Sequence, residues 1–361
     1  MFSFKEIDEE IDFNPLTIAE NAPFTQAWFF GEWQEMVGRK VLRFRVFENS
    51  ETIGFFQIIR YRLIFSKNFL YIPHAPILKR GYWGQVDFLE EFHKKLFEIS
   101  KEENAIFARF DFYSNDSDNG SKENFDKYFK KTPIYHYHSS YFQPKYEWIL
   151  NIEKTEEELL HNMHPKTRYG IRLAESKGVK IEIIPTLSRT HDFIGVKTDF
   201  QKYFSDFYNL MKKTAERNKF GLHSKIYYEN IFENCEKNKN AFLAIAKYGS
   251  KILAINLILL YGEVSYFVFG ASSDDFKNLM APHLLHLKTI IEVKKLGIKI
   301  YNFGAVDKGS FSALDGPASG WEGISRFKKR FGGELLEYSD SYDLVLKPVW
   351  YYLYNLRKKF L

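Results

Sequence analysis

AFLAIAKYGSKILAINLILLYGEVSYFVFGASSDDFKNLMAPHLLHLKTIIEVKKLGIKIYNFGA, residues Ala241–Ala305, is the stretch on which the fold turns. The turn pairs Gly249-Ser250 and Gly262-Glu263 cut its first part into three strands, Ala241–Lys247, Lys251–Leu260 and Val264–Gly270. Asn278–Leu296 then reads as a helix stopped by Gly297, and Ile298–Phe303 returns as a strand. The unit is a three-stranded meander, a helix and one more strand.

The same order occurs earlier in the chain. A helix is expected over Thr25–Val37, stopped by Gly38. Lys40–Glu48 alternates Leu42, Phe44 and Val46 with Arg43 and Arg45, and turns through Asn49-Ser50-Glu51 into a strand over Thr52–Tyr61. A short strand, Phe69–Ile72, precedes a helix over Gln85–Lys101 with Phe88, Phe92, Leu96 and Ile99 near one face. Ala105–Asp111 is the closing strand, followed by the polar loop Ser114–Ser121. The repeat is one of element order, without strong residue identity.

Helices fill the space between the repeats. Thr155 and Glu158 form a capping box for a helix through Met163. Pro165 opens the next helix, which ends at Gly178. A long amphipathic helix over Asp199–Arg217 turns Phe200, Tyr203, Phe204, Phe207 and Met211 toward a core. A helix over Trp321–Phe331, a strand over Leu335–Leu346 and a last helix from Pro348 complete the chain. The expectation is an α/β (α+β) fold of two domains: residues 1–150 with about 335–361, and residues 151–334.

Composition sets the outer limits. With 361 residues and 45% hydrophobic content, including 36 Phe and 23 Tyr, the chain suits two ordinary domains or one large one and can build a full core. A net charge of +5 permits an anionic partner without demanding one. Cys235 is the only cysteine, so neither an intrachain disulfide nor a Cys-based zinc site is available. No basic-then-apolar leader opens the sequence, and the longest apolar run, Ile252–Tyr261, is broken by Asn256, so a cytoplasmic protein is expected.

Meander, helix and strand in this order resemble an acyltransferase domain of the GNAT type, in which two central strands splay and expose backbone donors that hold a carbonyl under attack. Coenzyme A-dependent members cradle a pyrophosphate in a Gly-rich loop at a helix N-terminus. The matching loop here, Ala271–Lys277 (ASSDDFK), has no glycine and two carboxylates, Asp274 and Asp275, which argues against coenzyme A. No Walker A or dinucleotide glycine pattern appears. His161 and His164, and again His283 and His286, share helical faces but lack a carboxylate motif, and read as packed or surface histidines rather than metal ligands. No G-x-S-x-G elbow supports a serine nucleophile.

Three basic stretches stand out. In HPKTRYGIRLAESKGV (His164–Val179), Lys166, Arg168, Arg172 and Lys177 line a helix flank, either a solvated face or a contact for RNA phosphates. In TAERNKF (Thr214–Phe220), Arg217 sits where a helix ends; it is a phosphate or carboxylate clamp, or a charge favoured by the helix dipole. In WEGISRFKKRFGGE (Trp321–Glu334), Arg326, Lys328, Lys329 and Arg330 interleave with Phe327 and Phe331, suiting either a charged helix with an apolar seam or the stacked end of an RNA.

These stretches resemble the FemAB family, the aminoacyl-tRNA-dependent transferases that build peptidoglycan cross-bridges. FTQAWFFGEWQ (Phe24–Gln34), YIPHAPIL (Tyr71–Leu78), KTRYGIRLAESKGV, TAERNKF, LGIKIYNFGA and GISRFKKRFGG follow in the family's order over most of the chain. His74 and Ala75 stand where the family often has Arg-Gly. The family's coiled-coil arm has no counterpart, since no sustained heptads occur between Phe220 and Ala241.

The resemblance implies two GNAT-like acyltransferase domains with a cleft between them, the first on the muropeptide acceptor side and the second on the tRNA and catalytic side. It implies a monomer that needs no metal or cofactor, because aminoacyl-tRNA is itself the activated co-substrate. The acceptor is a lipid- or UDP-linked muropeptide. Lys328 is the residue expected to stabilise the oxyanion or the tRNA end, and Arg217 to bind acceptor phosphate. Arg168, Arg172, Arg326, Phe327, Arg330, Tyr301 and Asn302 are further expected substrate contacts. Asp307–Gly320 is expected as a loop over the cleft, and WYYLYNLRKKFL (Trp350–Leu361) as a peripheral contact with the inner leaflet or a helix packed on the first domain. The alternatives are a GNAT-like N-acyltransferase using coenzyme A or another carrier, and an inactive RNA- or muropeptide-binding homologue.

Overall fold

A computed structural model describes residues 1–113, 122–133, 142–186, 199–218, 220–307 and 320–359. In chain order the first part holds β1 (Phe2–Glu6), α1 (Trp28–Met36), β2 (Lys40–Glu48), β3 (Glu51–Arg62), β4 (Asn68–Ile72), β5 (Ile77–Leu78), α2 (Val86–Glu102), β6 (Ala105–Asp111), α3 (Lys122–Tyr128) and β7 (Lys130–Lys131). There follow β8 (Tyr146–Asn151), α4 (Glu156–Asn162), α5 (Pro165–Ser176), β9 (Lys180–Pro185), α6 (Phe204–Asn218), α7 (Lys225–Asn238), β10 (Ala241–Tyr248), β11 (Lys251–Tyr261), β12 (Val264–Ser272), α8 (Ala281–Lys295), β13 (Ile300–Ala305), α9 (Gly320–Lys329) and β14 (Glu334–Glu337). The last elements are β15 (Ser341–Val345) and α10 (Pro348–Lys359).

The chain forms two compact units, Met1–Lys145 with Glu337–Leu361, and Tyr146–Leu336. In the first the strand order is β1-β2-β3-β4-β6-β15-β7, with β5 beside β3; in the second it is β14-β8-β13-β12-β11-β10-β9. Each sheet is mixed. β4 pairs with β6 in parallel, as β12 does with β13, while their other neighbours are antiparallel. The meander-helix-strand order therefore appears twice, as β2-β3-β4-α2-β6 and as β10-β11-β12-α8-β13.

Helix position follows from side-chain periodicity. Phe88, Leu89, Phe92, Leu96 and Ile99 of α2 are buried against Phe44, Phe56 and Phe110 of the first sheet. Fully burying each such side chain is worth roughly 1.5–3 kcal/mol. α8 is buried over most of its girth, with Leu284, Leu285, His286, Leu287, Thr289, Ile290 and Val293 all inside, the pattern of a helix enclosed by its neighbours.

The structure corrects several expectations. Tyr146–Asn151, assigned largely to the first domain, pairs with β13 in the second sheet. The single strand expected over Leu335–Leu346 is two strands in different sheets, β14 beside β8 and β15 beside β6. β1, β9 and α7 were not anticipated. The helix expected from Thr25 begins at Trp28 after a 3-10 turn at Phe24–Gln26, and that expected from Asn278 begins at Ala281 after a similar turn at Lys277–Leu279. The loop Ser114–Ser121 and most of Asp307–Gly320 lie outside the described residues.

Candidate active site

The second sheet opens at its centre. β12 and β13 share the register pairs Val264–Ile300, Ser265–Tyr301 and Tyr266–Asn302, and no further pair among the described residues, although β12 continues to Ser272 and β13 to Ala305. Two local features turn the strands apart. The β11–β12 register slips between Leu257 and Ile258, and the β13–β8 register slips between Asn302 and Ala305. At the second slip Gly304 adopts φ +72°. A Cβ there would stand 3.3 Å from the Phe267 carbonyl and 3.9 Å from Lys328 Nζ. Glycine is favoured because a side chain would be strained in the left-handed region.

A buried polar chain holds this bulge. Asn302 Oδ1 accepts a hydrogen bond from Gly304 N at 2.7 Å, the Asx arrangement that turns a backbone in two residues. Asn302 Nδ2 donates to Glu147 Oε2 on β8 at 2.6 Å. Across the bulge, Lys328 Nζ donates to the Ala305 carbonyl at 2.7 Å. Lys328 comes from α9, and its ammonium is 5.8 Å from the Phe267 ring centre on β12. Burial lowers Lys328 from the ordinary 10.5 to about 8, against an opposing pull from the Glu147 carboxylate. The opening thus has at its mouth a cation taken largely out of water and held by one backbone carbonyl.

An aromatic wall backs it. His286 on α8 is ringed by Phe267, Phe303, Phe327 and Phe331, with centroids 4.8–5.5 Å away. Burial, with smaller contributions from Lys328 and His283, pushes His286 down to about 3, so it is neutral at pH 7. His286 Nδ1 and the Tyr301 hydroxyl are 2.9 Å apart.

The expected site residues separate into groups. Lys328, Phe327, Tyr301 and Asn302 gather at the strand opening. Tyr301 and Asn302, however, are buried with their polar atoms committed to His286, Gly304 and Glu147, so they shape the opening rather than face a substrate. Arg326 is buried and donates to Glu322 on its own helix at 2.9 Å. Arg168 donates to the His161 and Met163 carbonyls and closes the end of α4. The Arg330 carbonyl accepts from His164 N at 2.9 Å, joining the end of α9 to the start of α5. Arg172 is exposed on α5, the one of these arginines that lies fully at the surface.

Arg217 lies at the far end of β12. It donates to the Ser272 carbonyl and to Asp274 Oδ1, each at 2.9 Å, and to Ser272 Oγ at 3.2 Å. Lys277 pairs with the same Asp274 oxygen at 2.6 Å. The acidic loop is therefore folded onto its own cations. Sequence reading passed over Glu147 and Gly304. Glu147 carried a signal, a carboxylate inside the apolar run YEWILN; its partner on β13 is set by strand pairing alone.

Comparison with known proteins bears on the fold and the family. Lipid II:glycine glycyltransferase of Staphylococcus saprophyticus is 23% identical over 91% of this chain and 90% of its own. The enzyme of the same name from Staphylococcus aureus (strain COL) is also 23% identical, over 59% of this chain and 62% of its own. Among solved structures, FemX superposes with a TM-score of 0.79 at 19% identity, covering 97% of this chain and 99% of that one. A tandem GNAT protein from the clavulanic acid biosynthesis pathway gives 0.55 at 10% identity, covering 96% and 98%. Both units are thus GNAT-like, and no coiled-coil arm interrupts the described residues. The FemAB family profile matches residues 17–249 and 235–359, together nearly the whole sequence, and the chain belongs to the FemAB family.

Proposed function

We propose that this protein transfers an amino acid from aminoacyl-tRNA to an amine on the stem peptide of a peptidoglycan precursor. The observation that carries the reading is Lys328, a buried ammonium held at the mouth of the β12–β13 opening. Family membership, and relatives named for glycyl transfer to lipid II, supply the substrate class.

The chemistry is ester aminolysis. The acceptor amine forms a bond to the ester carbonyl carbon, and the carbonyl electron pair moves onto oxygen. When the tetrahedral intermediate collapses, the bond to the tRNA 3′ oxygen breaks, and that oxygen leaves with a proton from the attacking nitrogen. Deprotonating an alkyl ammonium at pH 7 costs roughly 4.6 kcal/mol. Orientation in a site can offset about 7–11 kcal/mol. Lys328 acts on the oxygen: its charge, fixed in a water-poor opening, meets negative charge that exists only once the amine has attacked. The ammonium gives its first proton to solvent before attack and the leaving oxygen takes the second, so no side chain is assigned as general base. The exposed cations of α5, Lys166 and Arg172, are the proposed tRNA contacts, and Arg217 a proposed contact for acceptor phosphate.

The Ala271–Lys277 loop, without a glycine and with Asp274 and Asp275, favours an RNA carrier over coenzyme A, because it lacks the Gly-rich backbone cradle that holds a pyrophosphate. The test is incubation with charged tRNAs and a lipid- or nucleotide-linked muropeptide, followed by mass measurement. A product heavier by one or more aminoacyl residues is expected. Acyl transfer from coenzyme A, or binding of charged tRNA with no product, would replace this reading.

A further inference from the structure

The first unit carries an outward apolar surface that its own packing does not use. α10 lies on the sheet through Tyr351 and Tyr354, whose rings sit 5.3 and 5.0 Å from Phe107. The Tyr351 hydroxyl donates to Asp343 at 2.6 Å. The inward face is therefore occupied by Tyr351, Tyr354 and Asn355. Val349, Leu353 and Leu356 recur at helical spacing on the opposite face, and all three are exposed, Val349 to 71%. Tyr352 adds a flank.

The turn between β3 and β4 extends this surface. Ile64 and Phe65 stand at its tip, Phe65 being 73% exposed. The Phe65 ring is 5.8 Å from that of Trp350 on α10, and Lys67 Nζ is 5.7 Å from the same indole. The turn is tightly built: Leu63 N donates to the Lys67 carbonyl at 2.7 Å, and Phe65 and Ser66 have φ of 55° and 51°. A bulky apolar residue held at a strained loop tip, pointing outward, has no use in the unit's own core.

Charge selects the occupant. Residues 62–68 hold Arg62 and Lys67, residues 347–359 hold Lys347, Arg357, Lys358 and Lys359, and neither segment contains Asp or Glu. An apolar protein partner would be indifferent to this bias; an anionic bilayer rewards it. Apolar side chains enter the headgroup boundary while cations meet lipid phosphates.

We infer that the β3–β4 turn and the outer face of α10 form one docking surface for an anionic lipid bilayer. The surface stands on the first unit alone; its use in presenting a lipid-linked acceptor rests on the proposed function.

The test is flotation of the full chain with vesicles of equimolar phosphatidylglycerol and phosphatidylcholine, compared with phosphatidylcholine alone. The expected result is binding to the anionic vesicles at least about tenfold stronger than to neutral ones, weakening as salt rises. Phe65→Ser combined with Leu353→Ser should lower that binding by about tenfold or more. Both positions are exposed, so the fold should persist, as an unchanged unfolding midpoint would verify. The double variant should transfer to a soluble nucleotide-linked muropeptide at the wild-type rate and lose rate only with a lipid-linked acceptor in vesicles. Wild-type protein that does not float with anionic vesicles, or a double variant that floats equally well, overturns the inference. So does a wild-type dimer that the double substitution dissociates, which would make a second copy the occupant. Flotation without any transfer would leave the surface standing and remove the function.

Discussion

The two units share an element order and differ at the junction where that order matters most. In the first, β4 and β6 remain paired to the end of β4, with Ile72 opposite Phe110, apart from one slip beyond Asn68. In the second, β12 and β13 part after three pairs. The closed junction is stitched by buried polar groups. Tyr71 of β4 donates to Asp111 of β6, and on the other side of β6 Arg109 grips Asp343 of β15 through two bonds of 2.7 and 2.9 Å while Ser341 also donates to Asp111. The open junction has a glycine bulge and Lys328. Each unit buries a cation beside its central strands. One is neutralised by a carboxylate; the other rests on a carbonyl and is the group proposed to meet the oxyanion. On that proposal, one copy of a duplicated scaffold serves as support while the other holds the reaction.

The largest effects should come from exchanging those cations for methionine. Lys328→Met is expected to lower aminoacyl transfer by at least about 10²–10³-fold, with no loss in the urea midpoint. Arg109→Met is expected to do the reverse: it strands Asp343 and costs about 3–5 kcal/mol of stability, while folded molecules keep their turnover. Wild-type turnover in the first variant would remove Lys328 from the mechanism, and an unchanged midpoint in the second would dissolve the contrast.

Titration should sharpen it. Lys328 is held near 8 rather than 10.5, so between those values the folded protein binds fewer protons than the unfolded one. Stability relative to Lys328→Met should then rise by about 3 kcal/mol from pH 8 to 10.5. Asp111 in the first unit is pushed by burial from 3.8 up to about 6, and there the folded protein binds more protons. Stability relative to Asp111→Asn should fall by about 3 kcal/mol as pH rises from 4 to 6. If Lys328 works as a cation, transfer should also decline above about pH 8, and Glu147→Gln should move that decline to lower pH. Melting curves and rate profiles across these windows check both signs.

Smaller effects probe the bulge and its surroundings. Gly304→Ala should cost about 1–2 kcal/mol of stability, from the left-handed backbone alone, and should slow transfer by displacing the carbonyl that holds Lys328. Arg217→Ala should change stability by less than about 1 kcal/mol, since its ion pair with Asp274 is half exposed. It should weaken acceptor binding more than tRNA binding; equal losses in titration calorimetry would remove the assigned role.

Much of the scaffold could be read from local pattern. Lys40–Glu48 and Ala105–Asp111 were placed to the residue because polar turns bracket them and their apolar residues recur plainly. α7 carries Tyr228, Ile231, Phe232 and Cys235 at helical spacing but no heptad repeat, so the absence of a coiled-coil pattern does not reveal it. The division of Leu335–Leu346 into β14 and β15 could not be read, because strand-like composition runs through the point where the chain passes from one sheet to the other. At the site, Lys328 was reached by resemblance. Its lowered pKa, its acceptor on β13 and the Glu147–Asn302–Gly304 chain depend on pairing between distant strands, which local sequence does not encode. Tyr301 and Asn302, expected as substrate contacts, are instead buried beside the strand opening, because a polar side chain in sequence does not disclose whether it faces inward or outward.

The order in which the chain is made adds a last consequence. The second unit is continuous, Tyr146–Leu336, whereas the first needs β15 between β6 and β7, and β15 is synthesised after everything else except α10. On the ribosome Arg109 emerges long before Asp343, so the first sheet waits with an edge unpaired and a cation uncompensated while the second unit can already fold. Chains truncated before Ser341 and released from the ribosome should therefore hold a finished second unit and a first unit still open to chaperones and proteases.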